Sequence, residues 1–234
     1  HLNLSGSTRI SQNGSYIWNP EDGQTYTAIA SGDWNNTATW DLGGSYPGQL
    51  ANDDTVIIGS AYSVTLNVDV TIASITLSST GTFTQNGDLT ISGAYSQSAG
   101  TFLCSDPVTN TFSAGSFAIS ASTFNRYTGS GIVADPYLIR DAYDLQAMKC
   151  SLNSYYQLNG NINASGTSTW NSGAGFEPVG TTSTPFTGTL SGTSNNYAIT
   201  SLTINSTTLN YVGLFGYSIG TIQNLTPSNV SITS

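Results

Sequence analysis

"TVIIGSAYSVTLNVDVTIASITLSSTGTFTQNGDLTISG", from Thr55 to Gly93, is the stretch whose reading decides the fold. Val64 and Leu66, then Ile72, and later Leu89 and Ile91 alternate with Thr and Ser at the period of a half-buried strand. Gly, Asn and Ser punctuate the runs, so each presents one apolar face and then turns. The runs are too short to fold alone and recur too regularly to be loops. Stacked coils, in which each layer covers the apolar face of the last, satisfy both conditions. The expected fold class is therefore all-β, a parallel β-helix or β-solenoid. An antiparallel sandwich also uses short strands with frequent turns, but two-residue hairpin signals of the Asn-Gly type are sparse here.

Working outward, the texture changes near Tyr127, at "YTGSGIVADPYLIRDAYDLQAMKCSLNSYYQLNGNINAS". Asp141 stands where it can cap free amides, and Ala142, Leu145, Gln146, Ala147 and Met148 are good helix formers, which predicts one short helix over residues 141–150. Strand-length pieces separated by Gly and Asn resume beyond it. This reading divides the chain into an N-terminal extended segment over 1–30, a solenoid module over 31–126 and a second solenoid module over 127–234. The extended segment, a cap or a strand donor, carries Leu2, Leu4, Ile10, Ile17 and Trp18.

Composition narrows the function. Only 7% of the 234 residues are charged, against roughly a quarter in an ordinary soluble domain; Ser, Thr, Asn and Gly supply the polarity, the palette of a secreted β-rich protein. Four Lys and Arg face 13 Asp and Glu, for a net charge of −9. The cations Arg9, Arg126, Arg140 and Lys149 are scattered, which argues against nucleic acid and against a polybasic membrane patch. No apolar run reaches the ~18 residues of a spanning helix, so no membrane insertion is expected. The start, "HLNLSGSTRIS", reads as that of a processed or trimmed chain.

Catalytic chemistry finds little to work with. The one histidine is His1, so a nucleophile paired with a histidine base is not expected, and a copper brace at the N-terminus would need a second histidine. Glu21 and Glu177, the two glutamates, fall in different modules, against the close carboxylate pair of a glycosidase. No cofactor is expected; Asp53 and Asp54 are the weak calcium candidates, or else turn acids ahead of the first regular strand. Trp34 and Trp40 could stack on glycan rings or plug the open end of a solenoid. Cys104 and Cys150 could form one disulfide or serve as small buried hydrophobes. Asn3, Asn13, Asn35, Asn163, Asn205, Asn224 and Asn229 each open an N-glycosylation sequon, of a kind that an Asn-, Ser- and Thr-rich chain also produces by chance.

The C-terminal half resembles bacterial and archaeal surface proteins carrying the GLUG motif. The likeness lies in "YVGLFGYSIGTIQNL", with Gly213, Leu214, Phe215, Gly216, Gly220 and Asn224, and in the lead-in segments "YYQLNGNIN" and "FEPVGTTSTPFTGTLSG". It covers roughly residues 129–234. Where such proteins tend to read "FTGTFDGNGHTI", this chain has "FTGTLSGTSNNYAI", with Ser191 and Tyr197 in place of an acid and a histidine. The segment from Ser31 to Asn67 is similar, more loosely, to the entry of secreted right-handed β-helix proteins of microbial surfaces. The resemblance implies a secreted adhesin, surface-layer or filament protein, extracellular or on the cell surface.

The apolar pattern runs to Val230 and Ile232 with no capping element after it. A solenoid's last coil exposes strand edges and an apolar cross-section, so the expectation is that the chain continues or that another subunit covers it. The functional reading is a non-enzymatic structural or adhesive surface protein that assembles head-to-tail into a homopolymer, with surface glycans as further partners. A carbohydrate-binding or carbohydrate-active β-helix protein is the alternative.

Overall fold

A computed structural model describes residues 10–12, 15–17, 22–120, 122–206 and 208–233. Strands of three or four residues dominate it, with one α-helix, Ala142–Ala147. From Thr25 onward every ladder is parallel. An antiparallel sandwich is thereby excluded for the described residues. The antiparallel strand pair is the hairpin of Ile10–Gln12 with Ser15–Ile17.

Between Thr25 and Asn125 no strand pairs with the one that follows it, and apart from Val70–Ile72, which pairs with Leu89–Gln97, the strands alternate between two ladders. Thr25–Thr27, Thr55–Ile58, Ser74–Leu77, Leu89–Gln97 and Phe112–Ile119 form one, and Gly32–Asp33, Ser63–Leu66, Thr82–Gln85, Thr101–Leu103 and Thr123–Asn125 form the other. The register places like on like. Val64, Phe83, Phe102 and Phe124 stand over one another in one column, and Tyr26, Val56, Ile75, Tyr95 and Phe117 in a second. All are essentially inaccessible to solvent. Phe102 and Phe124 stack at 4.3 Å and 13°, while Tyr95 meets Phe102 edge-on at 5.9 Å. The alternation seen around Thr55 to Gly93 is the signature of this arrangement, because Thr and Ser at every second position face outward.

Three further ladders follow. Tyr137–Ile139, Tyr155–Leu158, Thr189–Ser191 and Thr221–Gln223 make the first; Ile162–Asn163, Ala198–Thr200 and Thr226–Ser228 the second; Thr203–Asn205 and Ser231–Thr233 the third. The core is one cluster that runs from Tyr26 to Ile204. Phe112 against Tyr143 at 5.1 Å and Phe117 against Trp170 at 5.3 Å carry it across the change of ladders.

The helix is where the sequence puts it. Asp141 caps it by accepting from Asp144 N at 2.9 Å, and a 3-10 turn, Met148–Cys150, extends it. Its buried Leu145 and Ala147 face the core.

Candidate functional site

The last layer, Thr221–Gln223, Thr226–Ser228 and Ser231–Thr233, differs from every layer beneath it in what covers it. Ile222 lies in register on Leu190, and Ile232 on Ile204. Leu190 and Ile204 are 0% and 1% exposed, whereas Ile222 and Ile232 are 44% and 48% exposed. The same positions that are sealed one layer down are open here, and the outer edges of all three ladders are unpaired beside them.

Glycine sets the closeness of this stacking. A Cβ on Gly216 would stand 2.6 Å from Gly180 O, and one on Gly220 would fall inside the van der Waals envelope of Gly188 O. The approach is needed because Gly216 N donates to Val179 O at 3.0 Å and Thr221 N to Gly188 O at 2.9 Å. Phe215 leans on Phe186 with ring centroids 4.9 Å apart. Asn224 turns the chain at φ 56°, a left-handed conformation that Asn tolerates better than most residues. Gly213 is looser, with Phe215 O at 3.3 Å as its nearest neighbour, and Leu214 is half-buried. Gly216 and Gly220 thus let one layer approach the next.

The other sequence candidates separate into different roles. Trp34 and Trp40 are 0% and 1% exposed, which corrects the stacking-platform expectation: neither ring offers a face to a sugar. They meet edge-on at 4.9 Å, and their indole N–H groups donate to Pro47 O and to Trp34 O, both at 2.8 Å. They fill the interior at the first layer, as a plug does. Asp53 is exposed, while Asp54 is buried and its two carboxylate oxygens accept from Gln24 N at 2.7 Å and Gly48 N at 2.8 Å. Burial nonetheless pushes its carboxyl up, with these two amides acting the other way. Asp54 therefore ties the plug segment to the first regular strand. Among the described residues no three His, Cys, Asp or Glu side chains cluster as metal ligands.

Cys104 and Cys150 are free thiols, so the disulfide alternative is corrected. Cys104 N donates to Asn125 O, while Cys150 Sγ rests 4.0 Å from Ser120 O; burial pushes both thiols up. Ile10 and Ile17 oppose each other in the N-terminal hairpin, so that part of the segment is paired within the chain and not a single free strand. Leu2, Leu4, Trp18, Asn3 and His1 lie outside the described residues, as does Asn13. Asn35, Asn163, Asn205, Asn224 and Asn229 are all exposed at turns or strand ends.

Sequence reasoning missed the buried polar ties. Arg126 contacts Asp141 at 2.6 Å and Asp144 at 3.2 Å, and Arg140 reaches Asp144 at 3.2 Å. Asp144 is fully buried. Its carboxyl is pushed up to about 7, first by that burial and then by the Asp141 charge, with Arg126 and Arg140 pulling down. The i,i+4 spacing of Arg140 and Asp144 was the readable signal. Gln85 and Gln97 are buried as well, and their amides donate across layers to Thr111 O at 2.6 Å and Thr123 O at 3.0 Å.

A halomucin of Haloquadratum walsbyi (strain DSM 16790 / HBSQ001) is 45% identical to the chain over 114 residues, covering 46% of this chain and 1% of that protein. The chain spans about 1% of the length of this relative. No family model matches the chain, and no solved structure matches it.

Proposed function

We propose that the protein is a non-enzymatic structural element of an extracellular cell surface, built as a β-solenoid of the GLUG type and assembled head-to-tail through its open last layer. The observation that carries this is the exposure of Ile222 and Ile232 in register on sealed Leu190 and Ile204. A second copy that adds strands to the three free edges would pair their backbone groups and remove these side chains from water. The contact joins unlike surfaces, because Trp34 and Trp40 plug the opposite end, so it propagates. The similarity to a halomucin supports the extracellular setting, as does a surface rich in Ser, Thr and Asn with few charges. The low charge count and the single histidine, at position 1, support the non-enzymatic reading.

A second reading is that later layers of one longer polypeptide occupy the same surface; the 1% coverage of the halomucin favours it. Sedimentation velocity of the chain over a concentration series separates the two. Growth to large species that Ile232→Asp prevents supports self-assembly. A monomer at every concentration removes self-assembly and leaves the continuous polypeptide.

A further inference from the structure

Beside the last layers lies a cleft of about 500 Å³ that the assembly reading does not use. That volume falls within the ~300–1,000 Å³ of small-molecule sites. Its polar floor is the ion pair of Lys149 Nζ with Glu177 Oε2, and its rim carries Tyr211, Thr181 and Thr184. Lys149 is the single lysine of the chain.

The pair is held in place from behind. Buried Gln146 clamps the Glu177 backbone at both ends, its Nε2 donating to Glu177 O at 2.9 Å and its Oε1 accepting from Glu177 N at 2.8 Å. Lys149 Nζ also donates to Ile119 O at 2.8 Å. Gln146 and Lys149 are three residues apart, on neighbouring positions of the helix and the 3-10 turn that extends it. The short helix that interrupts the strands thus serves to present one cation and one anion together in the cleft. Both remain partly accessible, with Lys149 21% and Glu177 44% exposed at the side chain.

Tyr211 stands 57% exposed on the rim, and Tyr217 meets it edge-on at 6.4 Å, so its ring is supported while a face stays open. Thr181 and Thr184 hydroxyls lie 2.8 Å apart.

We infer that this cleft binds a neutral sugar residue, with Tyr211 against the C–H face of the ring and the Lys149–Glu177 pair gripping adjacent hydroxyls. A fixed ammonium donates to one hydroxyl and a fixed carboxylate accepts from the next, which suits a vicinal diol. A balanced pair favours an uncharged ligand, and the net charge of −9 disfavours an acidic one. An aromatic face covers the apolar side of the ring. Trp34 and Trp40, the sequence-level choice for such stacking, are sealed in the core, whereas Tyr211, near the other end of the chain, is accessible.

The test is saturation-transfer-difference NMR on the full chain, with the methyl glycosides of glucose, galactose, mannose and N-acetylglucosamine and with N-acetylneuraminic acid as the charged control. At ~10 mM ligand even a Kd of ~1 mM registers. The expected result is transfer to at least one neutral glycoside that falls more than fivefold in both Tyr211→Ala and Glu177→Gln. Tyr211 is exposed, so the first variant keeps the fold, which circular dichroism checks. No transfer to any neutral glycoside, transfer unchanged in Tyr211→Ala, or equal binding of the acidic sugar would overturn the inference.

Discussion

Gly213, Gly216 and Gly220 offer a controlled comparison within one motif, because none has a positive φ and they differ in the space around them. An added Cβ at Gly216 meets Gly180 O at 2.6 Å, well short of ordinary contact, and the atom it meets is backbone that cannot swing aside. At Gly220 the obstruction is tighter still, from Gly188 O. Overpacking of this kind costs about 1–3 kcal/mol. At Gly213 the nearest atom is 3.3 Å away, so a small local adjustment suffices, offset by the ~0.4–1 kcal/mol that Gly→Ala contributes through the unfolded chain. Gly216→Ala and Gly220→Ala should therefore lose stability in urea titrations, and Gly213→Ala should stay near wild type. Hydrogen exchange gives the local reading: the Thr221 amide, bonded to Gly188 O at 2.9 Å, should exchange faster in Gly220→Ala as the last layer lifts. Equal stability of the Gly213 and Gly220 variants would refute the claim that these glycines exist to let layers approach.

Other perturbations address other parts of the fold. Phe102→Ala, which empties the middle of the aromatic column between Phe83 and Phe124, should cost about 3–5 kcal/mol in chemical denaturation. Asp144, with a folded value of about 7 against ~3.9 for an unfolded aspartate, binds more protons in the native state between those limits. Stability should thus fall as pH rises from ~4 to ~7, and Asp144→Asn should flatten that slope in a pH series of thermal melts. Thiol titration in denaturant without reductant should count two cysteines per chain, and a count of zero would contradict the free thiols.

The repetitive part of the fold was legible because its chemistry repeats. Outward Thr and Ser alternate with inward Val, Leu, Ile and Phe, and that period alone dictates strands with one sealed face. The helix was legible for a different reason: Asp141 has a cap's chemistry and the residues after it have helical propensity. What escaped was whatever depends on which layers meet. Trp34 and Trp40 read as a plug more readily than as a platform, but aromatic spacing does not say which segment lies against them, such as the one at Pro47 whose carbonyl accepts from the Trp34 indole. The Lys149–Glu177 cleft was invisible because its parts come from the helix region and from two separate strand connections. Nothing in the sequence sets Gln85 and Gln97 apart, yet their side-chain amides donate to the carbonyls of Thr111 and Thr123 in the next layer inside the core.

Negative-stain electron microscopy of the untagged chain, beside a variant with Ile222→Asp and Ile232→Asp, tests the assembly claim most directly. Both positions lie in the outermost layer of the described residues and are about half exposed, so the variant should keep its fold, which circular dichroism checks, while burying a charge in any copy-to-copy contact. The account predicts regular fibres from the wild type and dispersed particles from the variant. Dispersed particles from both, at concentrations that favour association, would contradict it.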